Sequence, residues 1–164
     1  MEVLVVRHAD AGSKGTWDGD DRLRPLSPQG RADAAALVRV LEPYGPRRIV
    51  SSALVRCVQS VEPLAASLGL EVERSALLTP DAGARAARFV QDLGTGTAPV
   101  VVCTHGETIA AMREAFARTG PGGRGRAGAD VGSHAKGSVW VLEFEEGRLD
   151  GERYVPPDRL VGAG

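Results

Sequence analysis

The stretch Val3-Leu4-Val5-Val6 runs without a polar break into Arg7-His8. Three of its four apolar residues are β-branched and the run is too short for a buried helix, which predicts a strand over 2–7. Apolar residues at every position, rather than every second one, mean that both faces are covered, as in a parallel sheet between helices. Arg7 and His8 then stand at the strand's carboxyl end, where open α/β sheets bind ligands. A cation beside a neutral nucleophile suits an anionic phosphoryl group there, although the same dipeptide also fits a surface histidine after an edge strand.

A second stretch repeats the arrangement. Ala98-Pro99-Val100-Val101-Val102-Cys103 reads as another fully apolar strand, and Thr104-His105-Gly106-Glu107 follows with the Thr-x-x-Glu spacing of a capping box. His105 is thereby expected between a strand end and the start of a helix over 107–118, with Ile109, Met112 and Phe116 inward. Glu107 reads as a helix cap rather than a catalytic acid.

Between these strands, residues 9–26 form a polar loop long enough to be functional or disordered. It carries Lys14, Trp17, Arg22 and Arg24, either as a wall contacting a leaving group or as a solvated loop with Trp17 packed down. Ser27-Pro28 opens a helix with a capping serine and a first-position proline, running to Leu41 with Ala35, Leu37, Val38 and Leu41 inward. Arg48-Ile49-Val50 is a short strand. A serine cap at Ser51-Ser52 leads into a helix with Leu54, Val58, Val61, Ala65 and Leu68 at helical spacing. Arg56 lies in its first turns, where a cation opposes the helix dipole but can share a bound anion with free N–H groups. An ordinary exposed arginine is the alternative. Residues 70–73 read as an edge strand, Thr79-Pro80-Asp81 as the cap and first turn of a helix over 82–93, and 137–145 as a strand. A turn at Glu146-Gly147 and a return strand over 149–154 follow it. The glycine-rich run 120–129 and the tail 155–164 are expected to be mobile.

Composition limits the rest. The 164 residues allow one domain, with 43% hydrophobic and 25% charged residues and a net charge of −1. That balance creates no global field for nucleic acid or an anionic membrane, so attraction for phosphate has to be local. Cys57 and Cys103, the only cysteines, make neither a disulfide framework nor a metal-type spacing. No apolar run approaches the ~20 residues of a spanning helix, and the N-terminus lacks signal-peptide character, so a cytoplasmic location is expected.

Taken together, Arg7-His8, Ser51-Ser52-x-Leu54-x-Arg56-Cys57-x-Gln59-Ser60 and Thr104-His105-Gly106 resemble the motifs of the histidine phosphatase superfamily. That group includes phosphoglycerate mutases and SixA-type phosphohistidine phosphatases. The family's Arg-His-Gly is here Arg7-His8-Ala9, a small replacement expected to be tolerated. The resemblance implies an α/β three-layer sandwich with a mostly parallel central sheet and helices on both faces, as one domain over 1–164. It implies His8 as the nucleophile, phosphorylated during turnover, with Arg7, Arg56 and His105 holding the phosphoryl oxygens. No metal or cofactor is implied. Where many members place a glutamate acid, this chain has Leu77-Leu78-Thr79-Pro80-Asp81, similar to the SixA-type pattern. Asp81 is a candidate acid, though it also reads as a first-turn carboxylate.

A second resemblance, through residues 7–14, Arg24-Pro25-Leu26 and Lys136-Gly137-Ser138-x-Trp140, is to the phosphatase half of two-domain Nudix–histidine phosphatase proteins. It implies a nucleotide or other small phosphate ester as substrate, with Lys14, Arg22, Arg24 and Lys136 on additional phosphates. The expected partner is thus a phosphorylated small molecule or a phosphohistidine protein, not nucleic acid or membrane. A non-catalytic phosphate-binding module and a mutase are the competing functions.

Overall fold

The computed structural model describes residues 1–119 and 134–157. Among them are β1 (Glu2–Arg7), β2 (Arg48–Ser51), β3 (Val72–Arg74), β4 (Val100–Thr104), β5 (Val139–Glu145) and β6 (Arg148–Val155). They form one sheet in the order β3-β2-β4-β1-β5-β6. The first four strands run parallel, and the β5–β6 hairpin adds antiparallel to β1. The helices are α1 (Pro28–Leu41), α2 (Val55–Leu68), α3 (Arg85–Leu93) and α4 (Gly106–Thr119).

The unbroken apolar run of β1 has its cause in this layering. Val3 and Val5 pack into one core with Val90 of α3 and Ile109 and Met112 of α4. Leu4 and Val6 pack into a second core with Leu37 and Leu41 of α1 and Val61 and Leu64 of α2. Each such residue contributes roughly 1.5–3 kcal/mol by leaving water, so β1 and β4, apolar on both sides, anchor the centre of the sheet. The expected three-layer sandwich is therefore observed.

Several local expectations need correction. Ala34, not Ala35, is the buried alanine of α1, while Val38 is half-buried against the core. The third helix begins at Arg85, so Thr79-Pro80-Asp81 neither caps it nor forms its first turn. Gly83, at φ 57°, takes the backbone out of the helical region just before it. No capping box forms at Thr104, whose hydroxyl donates instead to the Leu78 carbonyl at 2.7 Å. The helix after Ser51-Ser52 starts at Val55 without a side-chain cap. The edge strand is shifted to 72–74, and the return strand extends to Val155. Loop 9–26 holds two short 3-10 turns, Lys14–Thr16 and Asp21–Leu23. The hairpin turn falls at Glu146-Gly147, both at positive φ, as a two-residue hairpin turn requires. The glycine-rich run 120–129 and the tail beyond 157 lie outside the described residues. Among the described residues no helix is long and apolar enough to cross a membrane.

Candidate active site

Strand order brings the site together. β1 and β4 are neighbours, with Arg7 in register with Thr104, so the residues that follow them, His8 and His105, emerge side by side. Their ring centroids are 5.4 Å apart with an interplanar angle of 64°. β2 lies on the other side of β4, and the helix it feeds carries Arg56 at its second position. The chain is clamped behind His8: its N–H donates to Thr104 O at 3.0 Å, and the Gly137 N–H reaches Arg7 O at 3.0 Å.

His8 Nδ1 lies 2.8 Å from Ala9 O. A carbonyl can only accept, so Nδ1 carries the proton and Nε2 keeps its lone pair. Burial pushes the His8 pKa down to about 4, opposed by the Ala9 carbonyl and reinforced by Arg56, Arg7 and Lys136. Burial also lowers His105 to about 3, with His8 and Arg56 adding to it. Both rings are neutral at pH 7, and desolvation contributes more than the arginines. His105 Nε2 makes a 2.9 Å contact with Ser52 Oγ, which orients the ring. Ser52, expected to cap α2, is instead a partner of the second histidine.

The two guanidiniums are held from behind. Arg7 Nη1 donates to the His134 carbonyl, and a Cβ on Gly106 would come within 3.0 Å of Arg7 Cζ. Arg56 Nη1 donates to Asp21 O at 2.9 Å, and Nη2 pairs with the Asp21 carboxylate at 3.3 Å. In both arginines Nε is buried and has no partner among the described residues. Two orphaned cationic donors beside two neutral imidazoles are what an anion site requires.

A model of the histidine phosphatase superfamily (branch 1) matches residues 3–80, which contain Arg7, His8 and Arg56. An 8-oxo-(d)GTP phosphatase of Mycolicibacterium smegmatis is 39% identical over 162 residues, covering 95% of this chain and 48% of the relative. Residues 3–80 thus carry the pattern of the histidine phosphatase superfamily, and the chain as a whole is similar to it. It spans about half the length of that relative. The fold agrees. The protein histidine phosphatase SixA complexed with tungstate superposes with a TM-score of 0.75 at 22% identity, over 98% of this chain and 99% of that one. A mycobacterial glucosyl-3-phosphoglycerate phosphatase with VO3 gives 0.71 at 21% identity, over 94% of this chain and 97% of that one.

The outer residues are placed less uniformly. Lys136 Nζ bonds Asp10 Oδ1 at 3.1 Å, and its charge acts on His8. Lys14 is exposed on the first 3-10 turn, and its charge acts on Asp21. Arg22 is exposed and gripped by the Asp20 carboxylate, with Nη2 at 2.6 Å from Oδ2. Arg24 points inward: Nε donates to Asp21 Oδ1 at 2.9 Å and Nη1 to Ala11 O at 2.7 Å, so its donors are spent on the loop. Asp81 is exposed, and the Thr79 hydroxyl, 2.6 Å from Oδ1, holds its carboxyl below the usual range. It is ionised at pH 7 and carries no proton to donate.

Asp21, Ser52, Asp10 and His134 escaped the sequence-based candidate list. Ser52 lies inside a quoted motif and could have been found there. Asp21, among alternating charges, reads as a solvated loop residue. His134 contributes a backbone carbonyl, which no side-chain pattern encodes.

Proposed function

We propose that the chain forms a phosphatase domain that hydrolyses a phosphoanhydride of a nucleoside polyphosphate through a phosphohistidine on His8. The observation that carries this is the His8 ring, neutral, with Nδ1 tied to Ala9 O and Nε2 left as the nucleophilic atom. Its lone pair forms an N–P bond while the P–O bond to the leaving phosphate breaks, and that oxygen departs with the electron pair. The free donor edges of Arg7 and Arg56, with His105, hold the non-bridging oxygens as charge redistributes. Loss of one such donor typically costs about 10²–10³ in rate. Water then attacks phosphorus, the N–P electrons return to Nε2, and orthophosphate leaves.

The leaving group follows from the carboxylates. Asp10, Asp21 and Asp81 all have lowered pKa values, so none is poised as a general acid. An alkoxide needs a proton to leave, whereas a phosphate released from an anhydride departs as a stabilised anion. Lys136, paired with Asp10 while its charge acts on His8, and the exposed Lys14, whose charge acts on Asp21, are the candidates for further phosphates. The name of the 39%-identical relative supports the nucleotide choice, and so does the second resemblance.

Phosphate release from nucleoside triphosphates, a phosphohistidine peptide and a sugar phosphate, by wild type and His8→Ala, tests this. The triphosphates are expected to give the highest kcat/KM, with activity lost in His8→Ala. A preference for the peptide overturns the substrate but keeps the chemistry. Wild-type rates in His8→Ala overturn the chemistry.

A further inference from the structure

We propose that Asp21 is a positioning residue for the reaction, holding the Arg56 guanidinium in the orientation that receives the phosphoryl group, with Arg24 as the strut behind it. This rests on the phosphatase function proposed above. Arg56 is a long side chain with a buried charge, and without a counter-group it would be neither compensated nor confined. Asp21 supplies two acceptors from one residue, its carbonyl to Nη1 at 2.9 Å and its carboxylate to Nη2 at 3.3 Å. The Nε–H edge is left over, buried and unpartnered. A guanidinium fixed through both terminal nitrogens cannot rotate that edge away.

Asp21 is fixed in turn. Arg24 Nε donates to its other carboxylate oxygen at 2.9 Å, while Arg24 Nη1 bonds Ala11 O at 2.7 Å and Gly12 O at 3.2 Å. Ala11 and Gly12 are three and four residues beyond the nucleophile. From the opposite side, Ser60 Oγ donates to Arg56 O at 2.7 Å and accepts from Ala9 N–H at 2.9 Å. The closed circuit Ala9–Ser60–Arg56–Asp21–Arg24–Ala11 therefore ties the arginine and the His8 loop into one frame. Arg24, expected from sequence to touch substrate, acts at one remove. The neighbouring Asp20 makes no such link, its carboxylate serving the exposed Arg22 and its own turn.

The test is a double-mutant cycle on p-nitrophenyl phosphate hydrolysis. Asp21→Ala is expected to lower kcat/KM by about 10²-fold, the scale of a misplaced catalytic group. Asp21→Asn, which preserves volume and the carbonyl contact, is expected to lose about 10-fold and covers the case in which the alanine variant fails to fold. In an Arg56→Ala background neither change should cost more than about 2-fold further, because the group being positioned is gone. Asp20→Asn should match wild type. Equal losses in both backgrounds mean a merely structural role and overturn the proposal. A gain in activity or tighter inorganic phosphate in Asp21→Asn means that Asp21 competes with the anion, which also overturns it. If wild type shows no His8-dependent hydrolysis, the phosphatase function fails separately. Orthovanadate binding by calorimetry then decides, with weakening by about 10-fold in Asp21→Asn supporting the positioning role. Unchanged or absent vanadate binding contradicts it.

Discussion

Acidification from pH 7 to 4 is expected to destabilise the protein through its histidines. The chain has three, His8, His105 and His134, and all three are buried. Burial is the leading cause that lowers their pKa values from 6.5 to about 4, about 3 and about 4 respectively. Unfolded, each takes up a proton near pH 6.5 that the folded protein refuses until much lower pH. The stability is therefore fully present above pH 6.5 and is lost as pH falls toward 4. Each displacement corresponds to roughly 3–5 kcal/mol, and the three together to ~10 kcal/mol, comparable to the net stability of a typical domain. Near pH 5 the slope is about 1.4 kcal/mol per pH unit for each histidine, hence about 4 for all three. Asp10 and Asp20, lowered from 3.8 to about 2, lose their stabilisation only as pH falls toward 3.8 and below, so they add little above pH 5. Urea midpoints measured from pH 7 to 4.5 give the slope. His134→Phe isolates one proton, because neither ring nitrogen has a partner among the described residues and the ring packs against Trp140 and Tyr154. That variant should remove about a third of the slope. Constant stability between pH 7 and 5, or an unchanged slope in His134→Phe, would refute the reasoning.

Other perturbations separate the parts of the site. Gly106→Ala puts a Cβ within 3.0 Å of the Arg7 guanidinium, and since Arg7 has to give way, kcat/KM on an aryl phosphate should fall by about 10-fold with little change in melting temperature. Ser60→Ala leaves the buried Ala9 N–H unpaired and should cost about 1–3 kcal/mol in urea unfolding. Lys136→Ala should raise KM for a nucleoside triphosphate more than for p-nitrophenyl phosphate, and equal effects on both would remove Lys136 from the leaving-group side.

The nearness of His8 and His105 was legible because each directly follows an apolar strand, and in a parallel sheet strand ends share one edge; Arg7 closes β1, and Arg56 enters on the helix that β2 feeds. β1 and β4 could be read for the same reason, since their apolar runs reflect cover on both faces. The start of α3 could not, because the Thr79 hydroxyl turns back to Ala76 O, the Thr79 carbonyl accepts from Thr108 of α4, and Gly83 itself takes a left-handed conformation. Thr104 carries a capping pattern, yet the Leu78 carbonyl takes its hydroxyl. Arg22 and Arg24 look alike in sequence, while the turn between them sends one to solvent and the other onto Asp21. Which charges pair within a loop depends on how that loop folds, and residue spacing alone does not contain it.

The most direct measurement is mass spectrometry of the protein quenched during turnover of a nucleoside triphosphate. A phosphoryl group on His8, at Nε2, that is absent from His8→Ala and accumulates when His105 is replaced, is the predicted result. Phosphate on another residue, or full turnover with no phosphorylated protein at any time point, contradicts the account.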